Sequence, residues 1–185
     1  MRIDGLQKMT LLDFPGKVAC TVFTGRCNFR CPFCHNALLV TELPEKPDYT
    51  VDEILSFLKK RAGLLDGVAI TGGEPLMNPE IGDFIKEIRN LGYAVKLDTN
   101  GSYPDRLKTI VNEGLVDYVA MDIKNCKDKY AETIGLKSYD LSKIEESVEF
   151  LKSGKVDYEF RTTIVKEFHS VDDIRKAAHW IKGAE

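Results

Sequence analysis

The chain has no apolar run approaching the ~18 residues that a membrane helix needs, and its first residues, Met1-Arg2-Ile3-Asp4-Gly5, hold no apolar signal core. A membrane span and a secretory leader are therefore not expected. Basic residues are not in excess: 26 Lys and Arg stand against 29 Asp and Glu, a formal net charge of -3, so nucleic acid is not the expected main partner. Cysteines are few and odd in number, five, and three of them sit too close together to act as staples. That excludes a disulfide framework and makes the cytoplasm, where free thiols persist, the default compartment. Low-complexity segments and close internal repeats are also missing. What remains is 185 residues, 43% hydrophobic and 30% charged, enough for one globular domain over 1–185 with one core.

Along the chain, apolar runs alternate with amphipathic stretches. Lys17–Thr24, Val68–Thr71, Tyr93–Leu97, Asp117–Met121 and Tyr158–Val165 read as five strands. Between and after them lie helices: one capped by the box Thr50-Val51-Asp52-Glu53, then Pro79–Leu91, Pro104–Glu113, Leu141–Lys152 and Val171–Lys182. Gly92, Gly114 and Gly154 fall where helix-terminating glycines belong. Five strand–helix units in a row imply an α/β fold with a parallel sheet and right-handed crossovers. An open doubly wound sheet and a partial barrel both fit this pattern. A sixth strand would naturally follow the last helix, so either the fold ends with five units or the chain is truncated at its C-terminus.

Cys27, Cys31 and Cys34 have the spacing Cys-x3-Cys-x2-Cys, in a loop (25–36) directly after the first strand. Three thiolates there can hold three irons of a cubane cluster and leave the fourth open to a small molecule, whereas clusters that only carry electrons normally take four cysteines. Cys-x2-Cys-His also reads as half of a zinc site, but His35 adjoins Cys34, and Cys126, His169 and His179 are isolated. Cys20 reads as core and Cys126 as a loop thiol. Polar motifs end the other strands: Thr71-Gly72-Gly73-Glu74-Pro75, Asp98-Thr99-Asn100-Gly101, Asp122-Ile123-Lys124, and Arg161. Taken singly, these are a turn, a helix cap, a solvated ion pair and a surface residue. In a parallel β/α fold they gather on one rim, where such folds place active sites. The glycine pair would let a ligand approach the backbone, with Glu74 beside it to accept from an amine, and Arg161 needs an anionic partner.

Taken together and in this order, the cysteine, Gly-Gly-Glu-Pro, Asp-Thr-Asn-Gly and Asp-Ile-Lys motifs resemble the radical S-adenosylmethionine superfamily. Cys34-His35-Asn36 and Asp98-Thr99-Asn100-Gly101 are similar to the activating enzymes of glycyl radical enzymes. The opening, Leu11-Leu12-Asp13-Phe14-Pro15-Gly16-Lys17, is most similar to activating proteins of anaerobic ribonucleoside-triphosphate reductases. The resemblance implies a partial (β/α)6 TIM-type barrel, with about five units visible in this chain. It implies a [4Fe-4S] cluster on Cys27, Cys31 and Cys34, adenine packed on Phe33, and the methionine amino end at Gly72, Gly73 and Glu74. Asp98, Asn100, Asp122, Lys124 and Arg161 would meet the ribose and carboxylate or hold nearby groups. In some relatives a monovalent cation binds at positions that correspond to Asp98, Thr99, Met121 and Asp122. The radical chemistry is borne by the cofactor, so no catalytic acid or base is implied. The implied partners are a glycyl radical enzyme as protein substrate and a flavodoxin or ferredoxin as electron donor. With no eight-cysteine insert between Asn36 and Asp66, one cluster is expected. The alternatives are an activator of the pyruvate formate-lyase type, a radical enzyme acting on a small molecule such as a deazapurine synthase, and an iron–sulfur electron-transfer module.

Overall fold

The structure, a computed structural model, describes residues 1–184. Its centre is a six-stranded sheet in the order β1-β2-β3-β4-β5-β6. β2 (Ala19–Thr24), β3 (Gly67–Gly72), β4 (Ala94–Thr99), β5 (Tyr118–Asp122) and β6 (Asp157–Arg161) are parallel neighbours, each paired to the next. α2 (Val51–Lys59), α3 (Ile81–Asn90), α4 (Pro104–Asn112) and α6 (Ser142–Lys152) make the successive crossovers, and α7 (Val171–Trp180) follows β6. Strand order equal to chain order decides between the two architectures. A doubly wound sheet reverses direction at a switch point, whereas right-handed crossovers that always advance put every helix on one side. The wall is that of a partial barrel.

Side-chain alternation along each strand builds the core. Val22, Ile70, Leu97 and Val119 are aligned across β2 to β5 and fully buried, and they join one apolar cluster with Ile54, Leu58, Ile85, Ile88, Leu107 and Ile144 of the helices. The alternate positions face the concave side and include small or polar residues, Thr21, Ala69, Lys96 and Ala120. Residues 11–17 turn under the sheet. There Phe14 is buried within 6.4 Å of the Tyr118 ring, and Asp13 accepts a hydrogen bond from Thr21 Oγ1. The opening Leu-Leu-Asp-Phe-Pro-Gly-Lys motif thus forms the barrel floor, away from the cysteine loop.

Two expectations change. A sixth strand exists, but it is β1 (Ile3–Thr10), antiparallel to β2 on the edge opposite β6. It escapes notice because residues 5–9 are glycine or at least partly exposed, with only the ends of the strand buried. β6 ends at Arg161 instead of running to Val165. Thr162, Thr163 and Ile164 are β-branched but exposed, and they leave the sheet towards the rim. Short helices α1 (Leu38–Thr41) and α5 (Tyr130–Thr133) complete the loops. The capping box at Thr50 forms in both directions, and a second joins Ser170 to Asp173. Among the described residues no helix is long and apolar enough to cross a membrane.

Candidate active site

The loop after β2 is pinned from four sides. The Arg26 N–H donates to Leu39 O (2.8 Å) and its carbonyl accepts from the Glu74 N–H (2.8 Å). Asn28 Nδ2 donates to Ser102 Oγ (3.0 Å), and Asn28 Oδ1 accepts from Asn100 Nδ2 (3.0 Å). The Arg30 N–H donates to Ile134 O (2.8 Å) just past α5. Asn36 Nδ2 donates to the Gly72 carbonyl (3.1 Å). Arg26 itself holds φ of 73°, a left-handed conformation uncommon outside glycine, which the surrounding bonds hold in place.

Cys27, Cys31 and Cys34 are partly buried, unpaired, and line one cavity of about 720 Å³ at the C-terminal ends of the strands. Burial pushes the Cys27 thiol up to about 11, although the Phe29 N–H donates to its sulfur (3.3 Å); burial also raises Cys31. Asn100 Nδ2 approaches Cys27 Sγ at 3.7 Å. Cys20 and Cys126 are buried elsewhere, so this cavity has three thiols and no fourth. Among the described residues no three His, Cys, Asp or Glu side chains close around a single ion.

The glycine pair has a structural cause first. Gly72 has φ of 118°, and a Cβ there would strike the Thr24 backbone; at Gly73 it would fall on the Arg26 carbonyl. The end of β2 lies directly on Gly72 and the loop on Gly73, so no side chain fits at either. Glu74, expected to face a ligand amine, does not line the cavity. It is fully buried behind the wall. Its carboxylate accepts from the Leu76 N–H (3.0 Å), Thr99 Oγ1 (2.8 Å) and the Asn100 N–H (2.6 Å). Burial nevertheless raises it to about 7 against those donors. Glu74 positions the end of β4.

The rim beyond β4 is an ion network. Lys96 Nζ lies 2.6 Å from Asp98 Oδ1, and Arg161 reaches Asp98 Oδ2 (3.3 Å) and Asp122 Oδ1 (3.5 Å). Lys124 Nζ meets Asp122 Oδ2 at 2.9 Å. Burial pulls the Lys124 ammonium down, but Asp122 and the thiols outweigh it, and the net shift is upward. Arg161 therefore has the anionic partners its sequence context demanded. Phe33 lines the cavity with its ring 5.4 Å from Phe168. The segment carrying Phe168 is held by His169, whose Nε2 lies 2.8 Å from Lys124 O.

The cavity thus gathers Phe33, Gly72, Gly73, Asp98, Asn100, Asp122, Lys124 and Arg161 around the cysteines, and leaves out Glu74 and, of the positions implied for a cation, Met121. The sequence motifs do not single out Asn28 or Lys96, and they include Asn36 only within Cys34-His35-Asn36. Lys96 carried a usable signal, a lysine inside a buried strand two residues before Asp98 and hence on its face. Asn28 carried only its place in the loop, and Asn36 its place in the Cys34-His35-Asn36 motif.

The Radical SAM superfamily model matches residues 21–181. A protein of Methanocaldococcus jannaschii, provisionally named a glycyl-radical enzyme activating enzyme, is 30% identical over 99% of this chain and 76% of its own length. A pyruvate formate-lyase-activating enzyme of Clostridium pasteurianum is 31% identical over 98% and 76%. A GTP 3',8-cyclase of Alkaliphilus oremlandii is 34% identical, over 68% of this chain and 40% of its own. Among solved structures, TYW1 with a lysine-pyruvate adduct bound superposes with a TM-score of 0.64 at 19% identity, over 90% of this chain and 61% of that one. The protein anSMEcpe with bound AdoMet gives 0.63 at 19% identity, over 84% and 45%. The chain thus spans about three-quarters of two curated relatives and less than two thirds of the other proteins compared. The family model's match over residues 21–181, with relatives of 30% identity or more over nearly the whole chain, shows that this chain belongs to the radical S-adenosylmethionine superfamily and is a radical S-adenosylmethionine enzyme.

Proposed function

We propose that this enzyme activates a glycyl radical enzyme. It would hold a [4Fe-4S] cluster on Cys27, Cys31 and Cys34, cleave S-adenosylmethionine reductively, and remove one hydrogen atom from the Cα of a glycine in a partner protein. The observation that carries this reading is the set of three unpaired thiols opening on one cavity with a charged rim. Superfamily membership implies the cluster and S-adenosylmethionine, and the donor set fits: three sulfurs leave one iron for the ligand. When bound, the cluster would supply the one electron that reductive cleavage of the sulfonium's carbon–sulfur bond requires, so the radical chemistry would be borne by the cofactor and not by a protein side chain.

The protein's own part is geometry and charge. A cavity of about 720 Å³ lies within the range of about 300–1,000 Å³ usual for small-molecule sites. Phe33, backed by Phe168, offers a face for the adenine. Lys124 and Arg161 bring charge-assisted donors to the methionine carboxylate. Gly72 and Gly73 present backbone for the amino end, with Asn36 fixing the Gly72 carbonyl. Glu74 acts from behind by holding Thr99 and Asn100.

For the partner, the sequence resemblance favours an anaerobic ribonucleoside-triphosphate reductase. Similarity to a pyruvate formate-lyase activator keeps that lyase type as the alternative. A flavodoxin or ferredoxin in the cytoplasm fits the need for a one-electron donor. A radical enzyme acting on a small molecule is the second reading, motivated by the cyclase relative, which aligns over a shorter part of the chain.

The deciding experiment is electron paramagnetic resonance on anaerobically reconstituted, dithionite-reduced protein. A [4Fe-4S]+ signal that changes on adding S-adenosylmethionine, and that is lost in Cys31→Ala, is expected. A glycyl radical signal on adding one candidate reductase or lyase then identifies the partner. A cluster signal indifferent to S-adenosylmethionine would leave only an electron carrier.

A further inference from the structure

The monovalent cation expected from the family resemblance does not fit this rim. Its implied donors are already engaged. Both oxygens of Asp98 face cations, Lys96 at 2.6 Å and Arg161 at 3.3 Å. Both oxygens of Asp122 do the same, with Lys124 at 2.9 Å and Arg161 at 3.5 Å. The Thr99 hydroxyl points away from the cavity into the wall, where it donates to Glu74 and accepts from the Gly101 N–H. Met121 is fully buried, with its side chain packed against Gly101. Lys96 is only 2% exposed. A buried ammonium does not give up its carboxylate partner cheaply, so Asp98 is not free to turn to an ion.

The cationic side chains Lys96, Lys124 and Arg161 between them face all four oxygens of Asp98 and Asp122, so an added sodium or potassium ion would have to displace one of them. The guanidinium of Arg161 is fixed between the two carboxylates and stays protonated under all working conditions.

We propose that Arg161 is the built-in cation of this site, and that S-adenosylmethionine binds here without a sodium or potassium ion. This rests on the reading of the cavity as the S-adenosylmethionine site, so the test includes a readout that does not depend on that reading. The reconstituted protein is titrated with S-adenosylmethionine in buffer whose monovalent cation is tetramethylammonium, too bulky for a carboxylate pocket, and again with potassium or sodium present. Affinity is expected to agree within about twofold, because a true coupled ion site shifts affinity by about fivefold or more. Arg161→Gln is expected to bind more weakly in tetramethylammonium and to be partly rescued by potassium or sodium. Sodium-ion NMR on the protein without S-adenosylmethionine is expected to show no line broadening that Asp98→Asn abolishes. Such broadening would overturn the proposal even if S-adenosylmethionine did not bind. So would a fivefold salt-dependent gain in the unmodified protein, or an Arg161→Gln variant that binds as tightly as the parent in tetramethylammonium.

Discussion

Glu74 and Asn100 meet where the barrel wall touches the cysteine loop, and each does something its motif does not announce. Glu74 lies wholly out of solvent, and its folded value is raised by burial from 4.5 to about 7. The folded chain therefore keeps a proton between pH 4.5 and about 7 that the unfolded chain has released. The stability this carboxyl contributes is full below pH 4.5 and is lost as pH rises through about 7. A rise of that size corresponds to roughly 3 kcal/mol across the window. Unfolding free energies of the parent and Glu74→Gln, compared at several pH values, are expected to diverge in the parent's favour as pH falls. Parallel curves would sink the assignment. Asn100 carries a different consequence. Its side-chain amide is the nearest side-chain donor to Cys27 sulfur, held there by Asn28 and by Ser102, which donates to Asn100 Oδ1. Hydrogen bonds to cluster sulfurs favour the reduced state. Asn100→Ala is expected to make the bound cluster harder to reduce, read as a more negative midpoint in an anaerobic redox titration, and an unchanged midpoint would remove Asn100 from that role.

At the scale of elements, the cysteine loop is the piece on which the site depends, and its fit rests on what lies beneath it. Gly73→Ala puts a methyl group onto the Arg26 carbonyl, a backbone atom with little freedom to move. The expected cost is about 3 kcal/mol or more, roughly a 6–12 °C fall in melting temperature, with iron content falling in step. Full iron loading at an unchanged melting temperature would mean that the loop does not rest on Gly73. This dependence also explains what could be read from the sequence. The five parallel strands were legible because Val68 to Ile70 and Val119 to Met121 are continuous buried runs, as strands covered on both faces are. β1 was not legible, because an edge strand with an exposed middle has no periodicity to display. The end of β6 was overrun because Thr162, Thr163 and Ile164 have strand propensity without a strand's surroundings. At the site, the cysteines and Arg161 announced themselves through residue type. Glu74 misled because the sequence places it beside the glycines but cannot say which way its carboxylate turns.

For the whole molecule, the site and the stability occupy different places. The fully buried residues Ile54, Ile70, Ile85, Leu97, Leu107 and Val119 lie between the sheet and its helices, whereas the three thiols sit on the upper rim. Of the loop residues, Phe29 alone contributes a fully enclosed side chain to the apolar cluster, with Cys27 and Cys31 packed at its edge. In small zinc domains the metal supplies the folding free energy and the apo chain is unfolded. Here burial of an apolar wall supplies it, at about 25 cal/mol per Å², and the loop is held by hydrogen bonds to Ser102, Ile134 and Gly72 that need no iron. Removing iron with a chelator under anaerobic, reducing conditions is therefore expected to leave the far-ultraviolet circular dichroism and the cooperative thermal transition in place. The change is expected in the loop alone. Exposed Arg26 and Arg30 should become faster sites of tryptic cleavage once the thiols are unligated, because low-stability segments open first. A chain that loses its secondary structure on chelation would place the cluster inside the folding unit, and the barrel wall could then no longer be treated as a scaffold independent of the chemistry it carries.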